Sequence, residues 1–171
     1  MIQRPPLTLT SWMIAMGAVL MLCLPGLYTL KRFTIGMDVQ EIRCLPEDSR
    51  FYLIDHWALE PHRGDRIAFR TDERMMPFFN EKTVMVKAIV GVPGDQIALV
   101  DGELRVNDIA VTKAIPQDIK GSMRQGAWLK PKDLQPGEWV VIGSHPLSFD
   151  SRYWGIVDQA HLIGTAHAFP F

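Results

Sequence analysis

Between Arg4 and Lys31 the chain carries no charged residue, and this one feature constrains the fold more than any other. The run from 11 to 30, SWMIAMGAVLMLCLPGLYTL, would as a helix extend about 30 Å, the thickness of a bilayer's hydrocarbon core. Trp12 and Tyr28 stand near its two ends, where amphipathic rings favour the headgroup region. Pro25-Gly26 is a point at which the helix could kink or end early, which leaves about 18 residues from Leu7, near the lower limit for a span. No A-x-A-like site follows the run, which passes straight into LKRF, so an uncleaved anchor is expected rather than a removed secretory signal. A buried core helix would show a polar face, and this stretch is apolar nearly all round. Arg4 and the amino terminus compete with Lys31 and Arg32, so charge alone does not orient the span. The sequence is therefore expected to divide into a membrane anchor over 1–32, spanning about 11–30, and a second part over 33–171.

From about residue 40 the pattern changes to short runs rich in Val, Ile, Phe and Tyr, at 51–55, 66–70, 83–90, 95–100, 103–107 and 138–143. Twelve prolines and thirteen glycines suit a turn-rich β structure better than a helical one. Asp101-Gly102 and Asn107-Asp108 are tight-turn dipeptides, so 95–112 reads as a three-strand meander. VPGD at 92–95 is a further turn, with Pro93 presetting φ and Gly94 free to take positive φ. The stretch 113–136 has weak periodicity and reads as an insertion or long connection. A mainly β, antiparallel domain behind one transmembrane helix is expected. The formal net charge is −1 and no Lys/Arg run occurs, which excludes a nucleic-acid partner on electrostatic grounds. Two cysteines, Cys23 and Cys44, build neither a disulfide framework nor a zinc site. The five histidines lack ligand spacing, so no metal and no cofactor are expected.

Three stretches could carry chemistry. In IRCLP (42–46), Cys44 precedes a proline turn. It reads either as a small buried hydrophobe, the usual state of a lone thiol, or as a nucleophile whose thiolate Arg43 would favour. In MVKAIVGVPGD (85–95), Lys87 interrupts an apolar strand. It is either an edge lysine facing water or a buried amine able to act as a base. In SFDSRYWG (148–155), Ser148, Asp150 and Arg152 alternate, so an extended segment would put all three on one face, with Ser151 and Tyr153 on the other. They could orient a catalytic group or merely stabilise a loop.

Taken in this order, the stretches resemble the signal peptidase I family of Ser–Lys proteases. RGDRIAF (63–69) is similar to its RGD box, KAIVGVPGD (87–95) to its lysine box and SFDSRYWGIV (148–157) to its S-x-D-S-R box. The resemblance implies a mostly antiparallel β domain outside the cytoplasmic membrane, on the periplasmic side of a bacterial inner membrane. It implies Lys87 as general base, Ser148 as the residue orienting it, and Asp150 with Arg152 as a supporting ion pair. Gly91, Pro93, Gly94 and Asp95 would shape the turn beside the site.

Two departures are informative. Where members of the family carry a nucleophilic serine, the best match here is Cys44. Its C-L-P spacing looks like the S-x-P of the conjugative-transfer branch, the TraF-type peptidases. The arginine that follows the lysine is replaced by Ala88. Ser49 is a rival nucleophile without the surrounding pattern, and Ile42 stands where a hydroxyl donor to the oxyanion is usual, leaving the Cys44 amide. A thiol gives up its proton to an amine more readily than an alcohol does, and a thioester acyl-enzyme favours attack by amines over water. That chemistry, and the branch resembled, imply a peptidase or transpeptidase acting on a membrane-inserted pilin-like precursor, with cyclisation as one outcome and type IV secretion components as partners. The alternatives are a general signal peptidase with a cysteine nucleophile, and an inactive assembly factor of a pilus or secretion apparatus.

Overall fold

The structure is a computed structural model that describes residues 8–38, 44–45, 49–76, 78–101, 103–112 and 131–169. Ile42, Arg43, Pro46 and Gly102 lie outside the described residues, as does 113–130 of the expected insertion.

The apolar run forms helix α1, Leu9–Arg32, 24 residues or about 36 Å long. Thr8 caps it, its hydroxyl accepting from the Ser11 amide at 3.3 Å. Pro25 lies inside the helix and does not end it. Its missing N–H costs a single bond, and the Thr29 hydroxyl back-bonds to the Gly26 carbonyl at 2.8 Å within the same stretch. No residue of α1 is buried, so its leucines and methionines have no protein surface to pack on among the described residues. The helix is long and apolar enough to cross a membrane.

The chain passes from Arg32 into strand β1, Phe33–Met37, without a linker. There follow β2 (Phe51–Asp55), β3 (Arg66–Arg70), β4 (Val84–Gly91), β5 (Gln96–Val100), β6 (Glu103–Val106), β7 (Ile109–Ala110), β8 (Lys132–Asp133), β9 (Glu138–Ile142), the single-turn helix α2 (Ser151–Trp154), β10 (Val157–Asp158) and β11 (Leu162–Ala168). Seven strands form one antiparallel sheet in the order β1-β2-β11-β3-β4-β9-β10, and four form a second in the order β7-β6-β5-β8. The antiparallel β architecture behind an apolar helix agrees with the sequence expectation. The meander is present too: Asn107 and Asp108 both take positive φ, +50° and +65°, in the tight turn between β6 and β7.

Other features differ from that expectation, among them β1 and β10, which match none of the expected runs. The end of the supposed insertion is strand β8, whose Lys132 and Asp133 pair with Ile97 and Gln96. β11 matched no expected strand, yet it lies inside the large sheet, between β2 and β3. Its sequence, LIGTAHA, is too rich in small residues to read as a strand. Gly164 explains part of this, because a Cβ there would stand 2.1 Å from the Asp55 carbonyl oxygen.

Apolar packing divides accordingly. Ile67, Phe69, Met85, Ile89, Val141 and Trp154 belong to a cluster on one face of the large sheet. Tyr52, Ile54, Ala68 and Ala166 line the other face, with Leu45 packed on them. Ile97, Leu104, Val106, Leu134 and Val140 fill the junction with the small sheet.

The VPGD turn fastens the two sheets. The Asp95 carboxylate accepts from the Val92 amide at 2.8 Å, the Arg63 guanidinium at 2.6 Å and the Asn107 amide at 2.9 Å. Burial works against this carboxylate, but the Val92 amide, Asn107 and Arg63 outweigh it and hold its pKa below the usual value. A depressed folded-state pKa means that the unfolded chain binds the proton more readily. The associated stability is therefore fully present above the unfolded value of about 4 and is lost as pH falls through the folded one. The melting temperature is expected to fall steeply below about pH 4. Asp95→Asn should lower it by about 5 °C at pH 7 and flatten that acid limb, as circular dichroism melts across pH will register.

Candidate active site

Strand β4 alternates strictly, with Met85, Lys87, Ile89 and Gly91 on its buried face. That alternation decides between the two readings of the lysine. Lys87 is 3% exposed, set between two core residues and paired in register with Ile67 of β3. The amine is therefore enclosed by the sheet rather than facing water.

Its partner comes from a loop. β9 pairs with β4 only through Ala88, Ile89 and Gly91. Beyond Ile142 the chain leaves the sheet and turns back through 143–148 to the level of Lys87. There the Lys87 Nζ donates to the Ser148 Oγ at 3.0 Å, both groups being buried. A turn closed by the Ser148 amide on the His145 carbonyl at 2.9 Å holds the serine.

Asp150 and Arg152 hold that loop from behind. Arg152 is forked on Asp150, Nε to Oδ1 at 2.8 Å and Nη2 to Oδ2 at 2.9 Å, and its Nη2 also reaches the Ser148 carbonyl at 3.2 Å. Asp150 accepts from the Gly143 amide at 3.0 Å and caps α2 by accepting from the Arg152 amide at 3.2 Å. Burial works against the Arg152 guanidinium; Asp150 overrides it, with smaller contributions from Tyr153 and Cys44, so its pKa is raised. The segment 148–153 is thus not extended. The Asp150 cap turns the chain into α2, and the three polar side chains meet through the loop rather than on one face of a strand. Ser151 is buried, its hydroxyl accepting from the Val141 amide at 2.9 Å.

Cys44 joins this group through its backbone and through a shared cavity. Its carbonyl accepts from the Ser144 amide at 2.7 Å, and Cys44 and Lys87 line the same cavity of about 290 Å³ with Asp38, Leu45, Tyr52 and Phe79. Both cysteines lie outside any disulfide. Ser49 is placed differently: its hydroxyl lies 2.8 Å from the carbonyls of both Phe51 and Phe169, sharing its one proton between them, and ties down the end of β11.

Four other expected residues are not part of this cluster. Gly91 lies four residues beyond Lys87, about 13 Å along the strand, and packs closely on Val140. Pro93, Gly94 and Asp95 form the turn joining the sheets, with Gly94 at φ +90° and its amide on the Leu134 carbonyl at 2.9 Å. Their role is to hold β4 and β5 together rather than to line the cavity.

Gly143 is a site residue that the sequence reading missed. A Cβ here would stand 2.2 Å from the Ser148 Oγ and 2.7 Å from the Cys44 carbonyl oxygen, so the residue must lack a side chain for the two halves of the site to meet. The only signal was a Gly-Ser pair directly after a strand, which usually marks an ordinary turn. Phe149 was also passed over. It stacks on Phe79 of the cavity wall and on Tyr153, with ring centroids 5.4 and 5.6 Å apart. Among the described residues no group of three His, Cys, Asp or Glu side chains could hold a metal ion.

The chain is similar to known proteins of one family. The family described as "Signal peptidase, peptidase S26" matches residues 9–171. A signal peptidase I of Leptolyngbya laminosa is 27% identical over 156 residues, 82% of this chain and 73% of that protein. A probable signal peptidase I-2 of Synechocystis sp. is 30% identical over 119 residues, 66% of this chain and 50% of that protein. Signal peptidase I U of Bacillus subtilis is 28% identical over 128 residues, 70% of this chain and 65% of that protein.

Proposed function

The chain belongs to the signal peptidase family, peptidase S26, and from that premise we propose that it is a membrane-anchored processing peptidase in which Cys44 is the nucleophile and Lys87 the general base. The observation that carries this reading is the buried Lys87–Ser148 hydrogen bond at 3.0 Å beside a cavity that Cys44 also lines. Ser148 orients the amine, and Asp150 with Arg152 holds Ser148 and the Gly143 turn in place. Family membership supports a precursor protein as substrate. The TraF-type branch, and hence a pilin-like precursor in a bacterial inner membrane with type IV secretion components nearby, rests on the C-L-P spacing.

The steps follow from the groups present. Lys87 takes the thiol proton, and Cys44 Sγ bonds to the scissile carbonyl carbon. The C–N bond then breaks, with the Lys87 ammonium returning its proton to the leaving amine. The product is a thioester acyl-enzyme. Water, deprotonated by Lys87, bonds to the thioester carbonyl carbon; the C–S bond breaks, the thiolate takes its proton back from the Lys87 ammonium, and a linear chain is released. Alternatively the precursor's own amino terminus displaces the thiolate, forming an amide and closing a ring with no water consumed. A thioester's preference for amines supports the second outcome.

A processing assay read by mass spectrometry tests the proposal. Cys44→Ala is expected to abolish processing. Cys44→Ser is expected to retain slow cleavage and lose the cyclic product, whose mass is lower by one water than the linear one. A linear product from the wild type assigns ordinary hydrolysis, and normal processing by Cys44→Ala removes the dyad.

A further inference from the structure

The join between α1 and the β domain is built more heavily than a tether requires. Arg32, the last residue of α1, forks onto Asp55, with Nε at 3.0 Å from Oδ1 and Nη2 at 2.6 Å from Oδ2. Its Nη1 donates to the Tyr28 hydroxyl one turn back at 3.1 Å. The guanidinium lies over the Phe33 and Trp57 rings, 4.9 and 5.7 Å from their centroids, and Tyr28 meets Trp57 edge-on at 4.9 Å. The backbone continues the lock, since the His56 amide donates to the Arg32 carbonyl at 2.8 Å and extends the β1–β2 ladder into the helix. The Asp55 carboxylate lies below its usual pKa, chiefly through the Arg32 hydrogen bonds, so the pair stays charged at neutral pH.

The sheet carries this fixed point to the site. Phe33 pairs with Asp55, Asp55 with Thr165, Thr165 with Ile67, and Ile67 with Lys87. The first residue after the helix and the lysine therefore lie in one cross-strand row, four strand spacings or about 19 Å apart along the hydrogen-bond direction. A hydrogen-bonded row inside a sheet does not stretch. Whatever tilt α1 takes in a bilayer, the displacement from its end to Lys87 is constant.

We propose that Arg32 is a positioning residue that fixes the reach of the Cys44–Lys87 site from the bilayer, and thereby selects which bond of a membrane-borne precursor is cut. This rests on the peptidase reading above. A flexible tether would let the site sample many heights at any tilt of α1, whereas a clamped helix and a rigid row admit one height for each tilt.

The test uses the full chain in phosphatidylethanolamine/phosphatidylglycerol vesicles with two probes. One is a soluble peptide with small residues at the cut. The other is a series bearing the same peptide at increasing spacings from a leucine-rich membrane-spanning helix. The wild type is expected to cut the tethered series with a sharp optimum in spacing. Arg32→Ala, and a Gly-Gly-Ser-Gly insertion between Arg32 and Phe33, should broaden or shift that optimum and lower cleavage at the wild-type spacing at least fivefold. The soluble peptide should be cut within twofold of wild type. Arg32→Lys, which keeps the charge without the fork, should lie between. An unchanged spacing profile in both altered chains overturns the proposal. So does an equal loss on both probes, which would assign Arg32 to folding alone. Failure of the wild type on both probes would instead overturn the peptidase reading, and this one with it.

Discussion

Lys87→Met is expected to lower precursor processing about a thousandfold or more while leaving the melting temperature within a few degrees of wild type. The side chain lies on the buried face of β4 between Met85 and Ile89, so an unbranched apolar residue of similar length fits the space. What disappears is the nitrogen that donates to the Ser148 hydroxyl and, on the proposed mechanism, the proton acceptor beside the Cys44 cavity. Lys87→Arg separates chemistry from charge. A guanidinium keeps the cation but does not deprotonate in proteins, so it should be as inactive as methionine. Processing by gel shift and thermal melts on the same samples decide this; substantial activity in Lys87→Arg would reduce the lysine to a structural cation.

Gly143→Ala should be nearly as damaging for a different reason. The added methyl would meet the Ser148 Oγ at 2.2 Å, the Ser148 Cβ at 2.7 Å and the Cys44 carbonyl oxygen at 2.7 Å. Backbone cannot yield that far cheaply, so either Ser148 leaves Lys87 or the Cys44 segment moves away. A cost of about 1–3 kcal/mol is expected, equivalent to a drop of about 3–10 °C in melting temperature, with processing reduced at least a hundredfold through misplacement. The double variant with Ser148→Gly should recover part of the melting temperature but none of the activity, because the Cys44 contact remains and the lysine has lost its partner. A cycle of melts and rates over the two single variants and the double reads this coupling directly.

The anchor was legible because a long uncharged run has few physical readings. The strands at 51–55, 66–70 and 138–142 were legible because Val, Ile, Phe and Tyr alternate or cluster there between turn residues. β11 was not, because two alanines and a glycine suit a crowded interior position rather than a pattern of burial. In the site, the Asp150–Arg152 pair could be anticipated from spacing, although the cap that brings the two together could not. The fate of Lys87 hung on which face of β4 was buried, and an isolated strand sequence of Val, Met, Ala and Ile does not say. Gly143 was opaque because its importance lies in two distant neighbours, Ser148 and Cys44, that need its missing side chain.

The interior position of β11 has a consequence for how the protein comes into being. Every other described strand precedes it in the chain, yet β2 and β3 have no edge in common until it is inserted between them. During synthesis α1 emerges first, and the row linking Phe33 to Lys87 is broken at Thr165 until the ribosome has passed that point. The anchor can thus enter its membrane while β1–β2 and the β3–β4 pair that carries Lys87 are still separate pieces of unfinished sheet. On the proposed mechanism, a protease assembled in this order completes its site only once β11 is made, and until then it has little opportunity to attack its own emerging chain.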